Sequence, residues 1–293
     1  MIVKTKNNFK FFKQFIYYCL RFLSEKHIKT EAPLAGLSFD AILHHINIFG
    51  TYEKVELEVL NNFIKSRIKN PSTALDIGAN IGNHSVRLFS KLFSHVHCFE
   101  PNEKSFELLK INVNDLSNVT IHNIGLSNKS DDLSFKEIKT NMGSSKIDLK
   151  DYDGDKNSNP NVSLKKIKVK ELDSFLDTIK GRIDFIKIDV EGHELEALQG
   201  AKKTIRKFNP IIGFEENHVK KNGYSKVMDF LKNKGYTFYT IKENFDFGEG
   251  KLFVLLKYFF QDIFGTKLEL IKTTKLKNKN YYLIIGINEK IND

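Results

Sequence analysis

Apolar residues recur at helical spacing over Phe11, Phe12, Phe15, Ile16, Cys19, Phe22 and Leu23, with Lys4, Lys6, Lys10, Lys13, Arg21, Lys26 and Lys29 between and before them. This pattern predicts one basic, aromatic, amphipathic helix within an N-terminal extension, residues 1–50. Two placements fit that helix. It packs on the main domain or a second subunit, or it docks on a membrane surface through residues 1–30. Val55, Val59, Phe63, Ile64 and Ile68 predict a second amphipathic helix, with Thr51 as its N-cap and Asn70-Pro71 as its end. Short apolar runs then predict strands over 73–77, 96–99, 119–122, 183–188, 210–214, 237–241 and 281–287. Helical patterns fall between them at 85–92, 103–112, 194–207 and 225–232. Alternation of this kind means right-handed crossovers and a mainly parallel α/β sheet in one domain, residues 51–293. The polar segment 128–170 is expected to add one or two strands and a loop. Residues 248–279 form an apolar insertion before the last strand, either a helix capping the core or a lid or membrane-facing patch.

Composition narrows this picture. Apolar residues make up 41% of 293, enough for a large core, which excludes a disordered chain. The net charge of +10 suggests attraction to something acidic. The lysines are spread along the chain, however, apart from the N-terminus and 165–170, so no compact basic block points to nucleic acid. Two cysteines, Cys19 and Cys98, cannot make a disulfide framework. A reducing, cytoplasmic setting is the expectation, with the inner membrane face as a peripheral site, and no run approaches the ~20 apolar residues of a spanning helix.

The strongest local signal is Asp76-Ile77-Gly78-Ala79-Asn80-Ile81-Gly82. A strand ends in an acid, and a glycine turn leads into a helix. Gly78 and Gly82 let the backbone turn sharply and approach a ligand. A dinucleotide needs glycine where its diphosphate meets the helix. That place carries Asn80, with Asp76 close by, and both disfavour a diphosphate. S-adenosylmethionine has no phosphate. Asp76 is expected to hydrogen-bond its ammonium, while turn N–H groups hold its carboxylate. Glu100, at the end of the next strand and followed by Pro101, is placed to accept both ribose hydroxyls.

With Phe99-Glu100-Pro101 and Lys187-Ile188-Asp189-Val190-Glu191-Gly192-His193-Glu194, the chain resembles the FkbM family of S-adenosylmethionine-dependent methyltransferases. Tyr52-Glu53, Gly143-Ser144-Ser145 and Phe214-Glu215-Glu216 also resemble family positions. The resemblance implies a class I methyltransferase fold, Rossmann-like and doubly wound, with seven strands and the last one antiparallel. It implies O-methylation of a hydroxyl on a sugar, a glycan or a secondary metabolite. It places Asp76, Gly78, Asn80 and Gly82 at the methionine end and Glu100 at the ribose. Asn123 and Gly125, in the stretch after the third strand, fall by the adenine.

A hydroxyl is a poor nucleophile, so a general base is useful. The carboxyl end of the 183–188 strand faces the ligand crevice. There His193 is the expected base, Asp189 orients the acceptor or the methionine group, and Glu191 holds the imidazole or a sugar hydroxyl. Lys187, Ser144, Ser145, Glu215 and His218 are acceptor candidates, with His218 the rival base. Asp189, Glu191 and His193 could take a hard divalent metal, but no second carboxylate cluster supports one, so no metal is assigned. Two other functions compete. One is a nucleic-acid methyltransferase acting on RNA, motivated by charge, although the chain lacks an Asn/Asp-Pro-Pro-Tyr motif. The other is a non-catalytic, membrane-associated cofactor-binding scaffold. The oligomeric state is not legible.

Overall fold

The computed structural model describes residues 34–37, 42–43, 46, 51–138, 141–147, 161–216, 223, 225–244, 256, 268–277 and 280–289. The expected helix in residues 1–30, most of the 248–279 insertion and His218 lie outside them.

Helix α1 (Lys54–Arg67) precedes strand β1 (Thr73–Ile77). The first crossover is π-helical over Ser85–Phe89 and α-helical over Ser90–Leu92, together α2, and leads to β2 (His95–Phe99). Then come α3 (Glu103–Asn112), β3 (Val119–His122) and the short β4 (Gly125–Leu126). Strands β5 (Asp131–Ile138), β6 (Lys146–Ile147) and β7 (Val162–Lys170) follow, and then β8 (Ile183–Ile188). Helices α4 (Glu194–Gln199) and α5 (Lys202–Phe208) lead to β9 (Ile211–Glu216) and α6 (Lys226–Lys232). The chain closes with β10 (Tyr236–Glu243), β11 (Leu268–Thr273) and β12 (Tyr281–Asn288).

The main sheet runs β11-β10-β12-β9-β8-β1-β2-β3. Pairings from β9 through β8, β1 and β2 to β3 are parallel, and β12 is inserted antiparallel between β9 and β10. This is the doubly wound order that the resemblance implies, with one addition. The sheet has eight strands, not seven, because β11 from the insertion pairs antiparallel with β10 along the outer edge. Alternation along each strand feeds two cores. On one face Leu75, Ile77, Ile186 and Ile188 meet α4, α5 and α6 through Leu198, Ile205 and Leu231. On the other, Ala74, Phe185 and Ile285 meet α1, α2 and α3 through Ile64, Phe89 and Leu109. Free Cys98 is buried at the centre of that second face.

Three local expectations are corrected. Thr51 does not cap α1; Glu53 stands at its N-cap position in the left-handed region (φ 54) without a side-chain bond to the helix. The single helix expected over 194–207 breaks at Gly200, where a Cβ would run into the Ser127 carbonyl oxygen. The polar segment builds most of a second sheet, ordered β4-β7-β5-β6. It packs through Phe135, Ile167 and Val169, and Glu137 ties it to α3. Burial would raise the Glu137 carboxyl, but Lys165 at 3.0 Å, Ser163 at 2.9 Å and Lys104 of α3 at 3.2 Å bring it down to about 2. Among the described residues, no helix is long and apolar enough to cross a membrane.

Candidate active site

A cavity of about 510 Å³ opens at the carboxyl ends of β1, β2, β8 and β9, within the range of small-molecule sites. The strand order separates its two ends. Gly78, Asn80, Glu100, Gly125 and Leu126 border it on the β1–β4 side, and Lys187, Asp189, Glu191, Glu215 and Tyr282 on the β8, β9 and β12 side. Ile42, from the expected extension, and Ser144 and Ser145, from the 3-10 turn between β5 and β6, complete part of the wall.

The glycine turn is held from within. Gly78 (φ 78) has no room for a side chain, since a Cβ would strike the Asp189 carbonyl oxygen. Its N–H and that of Ala79 both donate to Phe99 O, at 2.9 and 3.1 Å. Asn80, also left-handed (φ 49), donates its N–H to Glu100 Oε2 at 2.8 Å, and Gly82 donates to Ala79 O at 2.8 Å. These four N–H groups are therefore not available to a ligand, so a carboxylate held by this turn would have to use other N–H groups of its wall, such as that of Ile81. Glu100 Oε1 accepts from Asn102 N at 2.7 Å, which leaves further lone pairs on both oxygens for hydroxyls. Burial pushes Glu100 up to about 7 against those two backbone bonds.

Several expected cofactor residues stand elsewhere. Asp76 is fully buried behind the turn and does not border the cavity. Its Oδ2 accepts from Ser85 Oγ at 2.6 Å and its Oδ1 lies 3.5 Å from Lys187 Nζ, so it meets the protein's own ammonium, not a ligand's. Gly82 also lies off the wall. A Cβ there would be 2.7 Å from Leu109 Cδ1, so this glycine serves the packing of α3. Asn123 is likewise away from the cavity, donating to Glu100 O at 2.9 Å and tying two strand ends together. Gly125 does border it.

At the other end, Lys187 is spent on protein groups. Its Nζ lies 3.2 Å from Asp189 Oδ2 and 3.3 Å from Gly78 O, which argues against an acceptor role. Burial works against its charge, yet Asp189 and Asp76 raise it above the usual lysine range. Burial would likewise raise Asp189, but Lys187 and a hydrogen bond with Glu215 hold it below the usual carboxylate range. Asp189, Glu191 and Glu215 each bring one oxygen within 4.8 Å of the others, and Lys187 is the cation already set against this group.

His193 borders the cavity, but both ring nitrogens face protein groups. Nε2 lies 2.9 Å from Ser127 Oγ and Nδ1 3.8 Å from Glu196 Oε2. The imidazole thus pairs with Ser127 and not with Glu191, and burial lowers its pKa. Glu191 sits in a left-handed backbone (φ 53), and burial, with Asp189 and Glu194 nearby, pushes it up to about 7. Ser144 Oγ accepts from Asn141 Nδ2 at 2.8 Å, and Ser145 Oγ accepts from Ile138 N at 2.9 Å.

Sequence reasoning missed Ser127, Tyr282, Ile42 and Glu194. Only Glu194 had a local signal, as an acid in the first turn of a helix. Its Oε1 accepts from Gly192 N at 3.0 Å and Val190 N at 3.3 Å, gripping the backbone on both sides of Glu191. Glu194→Ala should cost about 0.5–1.5 kcal/mol, since it removes the acceptor of an exposed and a half-buried donor that water can partly replace. Denaturant unfolding and amide exchange at Gly192 check this; native-like protection in the variant would contradict it.

The model of the "Methyltransferase FkbM domain" family matches residues 76–238. The hexuronic acid methyltransferase AglP of Haloferax volcanii is 32% identical over 140 residues, 47% of this chain and 53% of that protein. The chain thus spans about half the length of this curated relative. Among solved structures, an FkbM methyltransferase from Methylobacillus flagellatus is 19% identical, with 74% of this chain and 51% of that one covered and a TM-score of 0.36. The putative methyltransferase SMU.1697c of Streptococcus mutans, in complex with SAH, is 11% identical, with 79% and 97% covered and a TM-score of 0.38. With more than half of its length matched by the family model, the chain belongs to the FkbM methyltransferase family.

Proposed function

We propose that this methyltransferase uses S-adenosylmethionine as donor and methylates a hydroxyl of a sugar. The carrying observation is the donor set of the first turn. The N–H groups of Gly78, Ala79, Asn80 and Gly82 are all bonded inside the protein, and Glu100 stands against the turn. Such a wall repels a diphosphate and suits a cationic ligand rich in hydrogen-bond donors. Asn80 Oδ1, a buried acceptor without a partner among the described residues, lies in the same wall and fits an ammonium. S-adenosylmethionine supplies a methyl group already activated by a positively charged sulfur. Glu100 would accept from the ribose hydroxyls, and Gly125 and Leu126 would border the adenine.

The β8 and β9 end then does the remaining work of orienting the acceptor and taking its proton. Glu191 takes that proton, because its carboxyl titrates near neutrality, while both His193 nitrogens face protein groups. Asp189, held ionised by Lys187, accepts a neighbouring hydroxyl and fixes the ring. The name of the Haloferax volcanii relative supports a sugar acceptor. The methyltransferase domain starts at residue 51, and residues 1–30 ahead of it make a peripheral membrane contact.

Two measurements test the reading. Calorimetry should give binding of S-adenosylmethionine and none of NAD. Transfer from methyl-labelled donor into fractionated cell extract should place label in glycan, located by mass spectrometry. Label in RNA, or NAD binding in the cavity, would overturn it.

A further inference from the structure

Tyr282 is 64% exposed, the most exposed of the large hydrophobic residues described, and yet it borders the cavity. Isolated exposed apolar side chains need no explanation, but a bare aromatic ring at the rim of a site does. It extends from β12, beside β9, so it belongs to the end that holds Asp189, Glu191 and Glu215, across the sheet from Glu100 and Gly125. Its neighbours on the wall include Tyr52 and Asn280.

We propose that Tyr282 is the stacking platform of an acceptor subsite that takes an uncharged sugar ring. The proposal rests on the reading of the protein as a sugar methyltransferase and adds the acceptor's charge class and the residue that selects it. A pyranose has apolar C–H faces and hydroxyl edges. An exposed tyrosine ring covers one face and keeps its own hydroxyl wet. The carboxylates of Asp189, Glu191 and Glu215 accept from the edges, and charged acceptors make the stronger hydrogen bonds. The charge balance decides against an acidic sugar. Glu53, Asp189, Glu191 and Glu215 border the cavity, while each nearby cationic group is already engaged: Lys187, the lysine in its wall, faces both Asp76 and Asp189, His84 faces Glu53 at 3.1 Å, and Lys146 acts on Glu191. No arginine among the described residues borders it. A uronate carboxylate would enter among like charges with no cation of its own, a repulsive element that rejects it.

The test uses the full chain. Oligosaccharides from cell extract are separated by anion exchange into neutral and uronate-containing fractions, and each is offered with methyl-labelled S-adenosylmethionine. Label is expected in the neutral fraction. Label confined to the uronate fraction would overturn the inference while leaving the sugar reading intact. Label in no glycan would refute the sugar reading and the subsite with it. In the neutral fraction Tyr282→Ala should raise the acceptor KM about tenfold, as loss of an aromatic contact implies. Tyr282→Phe, which keeps the ring, should recover most of that loss. Calorimetric affinity for S-adenosylhomocysteine should be the same in both variants, which reports that they are folded. An acceptor KM for Tyr282→Ala equal to that of the unaltered chain would also overturn the proposal.

Discussion

Replacing Lys187 with methionine should destabilise the protein by about 3–5 kcal/mol, the usual cost of breaking a buried ion pair from one side. The side chain is nearly sealed, with an exposure of 9%, and its ammonium lies between Asp189 at 3.2 Å and Asp76 at 3.5 Å. Methionine fills most of the volume, so the loss is electrostatic and not a cavity. Asp76 bears the greater part of it, being wholly inaccessible, with Ser85 Oγ as its other partner. Pairing Lys187→Met with Asp76→Asn should therefore restore a large share of the lost stability, because an amide oxygen still accepts from Ser85 and the carboxylate left behind, Asp189, is only half-buried. Urea unfolding of the single and double variants reads both effects. A single variant as stable as the parent would show that the ammonium does not offset these carboxylates. The same cation joins stability to the site, since it bridges the strand that leads into the glycine turn and the strand that carries Asp189.

How far this arrangement was legible follows from how local each signal is. Gly78 demanded a left-handed turn, and a turn after a strand and before a helix can be read from neighbours in the chain. Asp76 looked like a ligand group for the same reason, whereas the cation facing it is a lysine on β8. No periodicity reports such a pairing. The His193–Ser127 contact joins positions 66 residues apart and was equally invisible. In β7 the inward Ile167 and Val169 alternate with Lys166, Lys168 and Lys170, so the strand carries only half the apolar signal of a buried parallel strand and reads as a polar loop. Strand β11 hid in an insertion whose apolar stretch suggested a helix, and it lies at the sheet edge, where pattern is weakest. The central strands β1 and β8, buried along their whole length, were plain from their Ala, Leu, Ile and Phe positions even though Asp76, Asp184 and Lys187 interrupt them.

Glu191→Gln should lower the methyl-transfer rate by about 10²–10⁴-fold, the usual contribution of a positioned general base. The pH profile identifies the group. With donor and acceptor saturating, the parent rate should climb about tenfold per pH unit and level off near pH 7, because only the ionised Glu191 can take the proton. A His193 base would level off below the ordinary histidine value of 6.5, since burial lowers that ring. Stability should move the opposite way. Glu191 has a folded pKa above the 4.5 of its unfolded form, so its contribution is fully present below pH 4.5 and is lost as pH rises through about 7. Glutamine cannot ionise. The variant should therefore melt higher than the parent at pH 8 and close to it at pH 4, while its rate stays low at both. Burial and the carboxylates of Asp189 and Glu194 make the charged form costly, only partly offset by Lys146 and Lys187. That cost is what keeps a carboxylate basic enough to work at neutral pH. If Glu191→Gln gained stability at pH 8 yet kept its rate and pH profile, the strain would be real and the base would lie elsewhere.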